Sequence, residues 1–190
     1  MKNNIIIAGV DEVGRGCLAG PVVSAAVVLN KSINLKILKD SKKMNFSNRI
    51  KIAEIIKKNS TYAIGSASVK EIFDLNILKA SLLSMKRAIN NLTKKPELIL
   101  IDGIFAPEGL ENYQTIVKGD EKIKCISAAS IIAKSYRDLL MIKLSKDYKN
   151  YAWERNYGYG TKDHFKGLKK FGICTHHRKG FKPIHKMLSK

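Results

Sequence analysis

The stretch Ile5-Ile-Ile-Ala-Gly-Val-Asp-Glu-Val-Gly-Arg-Gly-Cys-Leu-Ala-Gly-Pro21 says more about this chain than any other. Ile5 to Val10, apolar and rich in β-branched residues, reads as a buried strand. Two acids, Asp11 and Glu12, end it directly before a Gly-Arg-Gly turn. Carboxylates beside a buried strand are costly to desolvate unless a cation offsets them, and hard oxygen ligands suit magnesium or manganese. The turn adds unobstructed backbone N–H groups and one permanent guanidinium, which suits the close approach of a phosphodiester. A solvated strand end followed by a glycine turn would look similar.

Working outward, Pro21 to Leu29 reads as a second strand, Asn48 to Lys58 as an amphipathic helix and Thr61 to Val69 as a third strand. Ser68 and Glu71 have capping-box spacing ahead of a long helical pattern through Ile89, with Pro96 as its stop. Glu97 to Asp102 is a fourth strand, and Gln114 to Val117 a short fifth that runs into Lys118-Gly119-Asp120. A strong helix is expected from Ser127 to about Tyr148, then helices at Thr161–Phe171 and Ile184–Ser189. The order predicts an α/β fold, a mixed central sheet flanked by helices. A soft boundary near Lys149 divides a core, residues 1–148, from a basic helical C-terminal segment, residues 149–190.

The net charge of +19 points to a polyanionic partner, nucleic acid ahead of a membrane surface. The excess is concentrated late, with ten Lys or Arg after residue 150 against Glu154 and Asp163. A lysine-rich composition that merely coats the surface would give the same count. Cys17, Cys125 and Cys174 are odd in number and far apart, so no disulfide framework is expected and a cytoplasmic setting fits. No apolar stretch approaches the ~20 residues of a membrane span. A monomer is the default expectation.

Asp11, Glu12, Asp102 and Asp120 all follow apolar strand patterns. If those strands are neighbours, four carboxylates converge at one sheet edge, as a two-metal phosphodiesterase requires. Each acid alone is an ordinary strand-end or turn residue, so the case rests on joint placement.

Taken together, Gly9 to Gly16, Gly20-Pro21, Asp40 to Lys43, Asp102-Gly103, Lys118 to Asp120, Ser127 to Lys134, Arg137-Asp138 and Gly158 to Lys162 resemble bacterial ribonuclease HII. The resemblance implies a ribonuclease H-like fold. It implies a magnesium- or manganese-dependent endonuclease that acts on RNA–DNA hybrids and on duplex DNA containing ribonucleotides, leaving 3′-hydroxyl and 5′-phosphate ends. By position it makes Asp11, Glu12 and Asp102 metal ligands, with Asp120 completing the second metal site. Gly14, Arg15 and Gly16 would line the minor groove at the 2′-hydroxyl. Tyr159 would stack on the sugar after the junction.

Ser41, Lys42 and Lys43 are placed to hold backbone phosphates. Lys134 and Arg137, three apart on one helix, are expected to share a duplex-facing side. Asp138 is expected to be a structural salt-bridge partner. Two positions depart from the family pattern: Cys17 stands where Pro is usual, and Gly180 where Ser is. Cys174, His176 and His177 lack a fourth zinc ligand at the usual spacing. Two rivals remain open, a DNA-cutting nuclease using the same acids and a non-catalytic RNA- or ribosome-binding protein.

Overall fold

The structure, a computed structural model, describes residues 5–30, 33–38 and 44–189. Ser41, Lys42 and Lys43, the expected phosphate-binding loop, lie outside the described residues. Five strands, β1 (Ile7–Val13), β2 (Val22–Val28), β3 (Thr61–Ala67), β4 (Leu98–Asp102) and β5 (Tyr113–Ile116), form one mixed sheet in the order β3-β2-β1-β4-β5. β1 and β2 pair antiparallel, as do β2 and β3, whereas β4 runs parallel to both β1 and β5. β1 and β4, which carry Asp11 and Asp102, and β5, which leads toward Asp120, are therefore adjacent and point the same way.

The helices are α1 (Phe46–Asn59), α2 (Val69–Asn90), α3 (Gly119–Lys122), α4 (Lys124–Asp147), α5 (Trp153–Asn156), α6 (Lys162–Phe171) and α7 (Lys182–Leu188). Strand alternation divides the core in two. Ala8, Val10, Ala26 and Ile101 pack with Met85, Ala88 and Ile89 of α2. On the other face Ala25 and Val27 pack with Ala53 and Ile56 of α1 and with Ala128, Ile131 and Ile132 of α4. α4 lies so close to β1 that a Cβ on Gly9 would stand 2.1 Å from the Cys125 carbonyl carbon. Gly9 and Asp11 share that face, so α4 roofs the first acid.

Several boundaries differ from the sequence pattern. β1 continues to Val13 because Asp11, Glu12 and Val13 keep pairing with Ala25, Ser24 and Val23. Asp11 and Glu12 thus lie inside a strand, just past the last β1–β4 pair, Val10 with Ile101. α4 starts at Lys124, three residues early. The capping box at Ser68 and Glu71 is formed, and Arg87 anchors Glu71 at 2.6 Å. The following helix breaks and restarts at Asn76 (φ 68°), whose side chain accepts from the Leu78 and Lys79 N–H groups. It ends at Asn90 with Asn91 as cap, well short of Pro96. No helix among the described residues is long and apolar enough to cross a membrane.

The segment after Tyr148 closes back on the core through Trp153, Tyr151, Leu168 and Ile184, which pack on Leu18, Ala19 and Met141. Beneath it lies a buried histidine pair. His164 donates Nδ1–H to the Tyr159 carbonyl at 2.9 Å, so its Nε2 is an acceptor. That nitrogen accepts from Trp153 Nε1–H at 3.1 Å and from His177 Nε2–H at 3.0 Å. His177 Nδ1 in turn accepts from the Cys174 N–H at 2.9 Å. Both ring nitrogens of His177 are thus committed, and His176 packs edge-on against Tyr148, so Cys174, His176 and His177 make no zinc site.

Burial, then the neighbouring His164, lowers the His177 pKa to about 4 from its ordinary 6.5. Below pH 6.5 the unfolded chain therefore binds more protons than the folded one, and stability falls as pH drops from 6.5 toward 4. Replacing His177→Gln is expected to lower the neutral-pH Tm and to flatten this acid limb. Thermal unfolding across that range checks it, and an acid limb as steep as the parent's would take His177 out of the account.

Candidate active site

The sheet edge gathers three of the four expected carboxylates. Asp11, Asp102 and Asp120 each offer an oxygen, and these oxygens all lie within 4.8 Å of one another. Among the described residues this is the group of three acids, cysteines or histidines placed to hold a metal ion. Asp11 is presented by β1 and hydrogen-bonded by Ser130 of α4, and its Oδ1 accepts the Glu12 N–H at 2.7 Å. Asp102 closes β4, and its Oδ1 accepts the Gly119 N–H at 2.7 Å.

Asp120 corrects the sequence reading. β5 stops at Ile116, Lys118 takes a left-handed conformation (φ 55°), and Asp120 is delivered by the first turn of α3 instead of a strand end. A helix start suits it, because the first-turn N–H dipoles favour negative charge.

Glu12 is not one of these three, and its carboxylate pairs with Arg15 at 3.1 Å, yet it stays near enough to Asp11 and Asp102 to repel both. Burial is the main cause that raises the pKa of Asp11 well above the usual carboxylate range, with Glu12 and Asp102 adding repulsion. Burial also raises Glu12, while Arg15 opposes it. Dense, desolvated, mutually repelling carboxylates bind protons or hard divalent cations, and the donor set fits magnesium or manganese.

Beside the acids, the loop from Gly14 to Pro21 is held by two buried arginines. Arg137 of α4 spreads its guanidinium over three carbonyls, Pro21 at 2.9 Å, Ala19 at 3.0 Å and Tyr157 at 2.8 Å. Arg178 donates to the Gly20 carbonyl and to the Arg15 carbonyl, each at 2.9 Å. Arg137 is fully buried, so it does not face a duplex as its spacing from Lys134 suggested. The spacing is right but the side is inward, because the carbonyls of two loops satisfy the guanidinium there. Arg178 was missed as a scaffold, because the carbonyls it binds lie more than 150 residues earlier in the chain.

The two glycines of the turn are not equivalent. Gly14 adopts φ +93°, and a Cβ there would lie 2.2 Å from Arg137 Nε. A Cβ on Gly16 would meet nothing within 4 Å, so Gly16 faces open space. Arg15 is half-exposed at 47% and leans on Glu12.

Tyr159 has its ring beneath Lys134 at 5.4 Å and near Arg137 at 6.0 Å. Burial, reinforced by the adjoining Cys17 thiol, pushes its phenol pKa up to about 12. Lys134 binds Asp138 at 2.8 Å, and the fully buried Asp138 also binds Arg49 at 2.7 Å, the structural ion-pair role expected of it.

The family model for Ribonuclease HII matches residues 8–187. The chain belongs to the ribonuclease HII family. It is 58% identical to a Ribonuclease HII of Pelagibacter ubique (strain HTCC1062), over 96% of this chain and 99% of that one. It is 48% identical to a Ribonuclease HII of Ruegeria pomeroyi, over 98% of this chain and 80% of that one. The crystal structure of ribonuclease H2 from Pyrococcus horikoshii OT3 superimposes with a TM-score of 0.79 at 27% identity, covering 96% of this chain and 97% of that one. As a member of this family the protein is a hydrolase of the ribonuclease H type, and the acid cluster is consistent with metal dependence.

The glycine asymmetry separates fold from function. Gly14→Ala forces a left-handed alanine into Arg137 and is expected to cost about 1–2 kcal/mol from the backbone alone. Gly16→Ala is expected to stay within about 0.5 kcal/mol of the parent, as a surface change does, yet to lose most ribonuclease activity, as expected of a methyl placed in the open space where the family resemblance would set the minor groove. Thermal melts beside cleavage assays check the pair. Full activity in Gly16→Ala would remove that position from the substrate surface.

Proposed function

We propose that the protein is an endonuclease that cleaves the RNA strand of RNA–DNA hybrids and cuts 5′ to ribonucleotides embedded in duplex DNA. The convergence of Asp11, Asp102 and Asp120 within 4.8 Å, beside the Gly14–Gly16 turn, carries this reading. These three carboxylates would hold two divalent ions, with Glu12 completing the acidic set. Bound there, such ions supply a water nucleophile at neutral pH and stabilise the leaving oxygen, giving 3′-hydroxyl and 5′-phosphate ends.

The protein's own groups do the selecting. The Gly14-Arg15-Gly16 turn, immobilised through the Arg15 carbonyl by Arg178, meets the minor groove, where the 2′-hydroxyl separates RNA from DNA. Tyr159, 37% exposed, offers one ring surface to the sugar after the junction. Lys134 beside it, 17% exposed and paired with Asp138, would present what remains of its charge toward a neighbouring phosphate. The basic segment 149–190 completes the binding face, since it carries Tyr159 and packs on the loop at Leu18 and Ala19. Arg137 contributes by holding loops in place, not by touching substrate.

The deciding experiment uses a labelled duplex with one ribonucleotide, a long hybrid and an all-DNA duplex, each with magnesium, manganese or chelator. A single cut 5′ to the ribonucleotide, lost on chelation and absent from all-DNA, is expected. Cleavage of the all-DNA duplex would favour a DNA nuclease instead. Asp102→Asn should abolish cleavage while duplex affinity holds or improves, because one negative charge near phosphate is gone. Near-normal turnover in that variant would sink the mechanism.

Tyr159→Ala should lower kcat/KM at a single ribonucleotide by about tenfold to a hundredfold, the scale of one aromatic stacking contact, with a smaller loss on the long hybrid. Equal losses on the two substrates would exclude junction reading.

A further inference from the structure

Around Tyr159 runs a closed set of contacts that the reaction itself does not call for. The Lys134 ammonium lies 4.9 Å from the ring centroid of Tyr157 and 5.4 Å from that of Tyr159. Asp138, one helical turn on, accepts from that ammonium with Oδ1 at 2.8 Å and from Arg49 Nη2 with Oδ2 at 2.7 Å. Arg49, on α1, also donates through Nη1 to the Met44 carbonyl at 3.1 Å, just before the helix starts. Its guanidinium lies 5.8 Å from the Phe46 ring, and Phe46 stacks on Tyr157 at 6.4 Å and 13°.

Stability alone gives no reason for three charges here. Apolar residues of the same volume commonly serve a buried site as well or better, because desolvation cancels much of the attraction. What the triad adds is position. The carboxylate fixes the ammonium between two aromatic faces, where a desolvated cation–π contact is strongest. The same carboxylate ties that arrangement to the chain entering α1. Tyr157 itself needs holding, since it adopts φ 51°, a left-handed conformation unfavourable for a side chain of its size.

We propose that Asp138 is a positioning residue for the junction-reading tyrosine: through Lys134 it locks the rings of Tyr157 and Tyr159, and through Arg49 it couples them to the start of α1. The entry to α1 at Met44 and the Tyr157–Tyr159 loop are thereby set together by one buried carboxylate. This rests on the reading of Tyr159 given above. The consequence is a specificity effect: loosening the triad blunts recognition of a single ribonucleotide more than cleavage of a long hybrid, which offers many registers.

The test compares Asp138→Asn, Lys134→Met and Tyr159→Ala in the full chain, by steady-state kinetics on both substrates. For Asp138→Asn the ratio of kcat/KM, single ribonucleotide over long hybrid, is expected to fall about tenfold, the scale of one desolvated cation–π contact. The loss should appear in kcat more than in KM, as for a group that orients rather than binds. A difference titration against Tyr159→Phe should show the Tyr159 phenol ionising at lower pH than in the parent, because the Asp138 charge that opposes its ionisation is gone.

Asp138→Asn leaves Arg49 without its buried counter-charge and can fail to fold. Lys134→Met keeps the Arg49–Asp138 pair and then carries the test, with the same fall in ratio expected. Equal losses on both substrates, or an unchanged ratio in folded Lys134→Met, would overturn the proposal. If Tyr159→Ala shifts the ratio while the other two variants do not, this inference alone fails. If Tyr159→Ala leaves the ratio unchanged, the reading of Tyr159 fails and takes this one with it.

Discussion

Three carboxylates held within 4.8 Å repel one another, and most of the architecture follows from resisting that repulsion. The acids ride on separate elements, β1, β4 and α3, so no single one has to bend to bring them together. The parallel pairing of β1 with β4 sets Asp11 and Asp102 side by side, each one residue past the last pair of the ladder, Val10 with Ile101. The Asp102 carboxylate then accepts the Gly119 N–H and pins the turn that delivers Asp120. Desolvation first, then repulsion from Glu12 and Asp102, appears as the raised pKa of Asp11. That energetic debt is what a divalent cation relieves, so the fold prepares metal binding by being uncomfortable without it.

The second demand is to keep a backbone loop rigid beside those acids while the space over Gly16 stays open. Glycines at the turn leave that space free but bring no stiffness of their own. The stiffness comes from Arg137 and Arg178, which together bind five carbonyls in the loop from Arg15 to Pro21 and at Tyr157. Buried guanidinium groups suit this task, since each presents several donors in a fixed plane. The loop is also hydrogen-bonded on both sides by the C-terminal segment, Leu18 to Gly158 and Gly20 to His176. The basic tail is therefore structural support for the loop beside the acids as well as charge.

This division explains what was legible in the sequence. Strand and helix identities follow from periodicity, and the convergence of Asp11, Asp102 and Asp120 follows from acids placed after apolar runs. The Glu12–Arg15 pair was less legible, because a linear motif gives no sign of which acids come within one ion's reach and which are held by a neighbouring guanidinium. Asp120 was assigned a strand end because a single left-handed residue, Lys118, converts the strand exit into a helix start. Arg137 was misplaced outward because a charged residue on an amphipathic helix ordinarily faces water. Its acceptors are backbone carbonyls from segments more than a hundred residues earlier and twenty later, and no local pattern announces them.

The same scaffold accounts for the two departures from the family pattern. At Cys17 a proline would have stiffened the turn by fixing φ. Here the Cys17 N–H donates to the Gly14 carbonyl at 3.4 Å, a bond that proline cannot make, and the thiol sits fully buried against Tyr159. At Gly180 a Cβ would reach only ordinary contact with Phe73, at 3.6 Å, so a serine would fit and its absence leaves no clash or collapse to repair. Neither position bears on the guanidinium bonds to the loop carbonyls. A turn held from beneath by Arg137 and Arg178 does not depend on the conformational stiffness of its own residues, which leaves those residues free to vary while the acids and their neighbouring backbone stay in register.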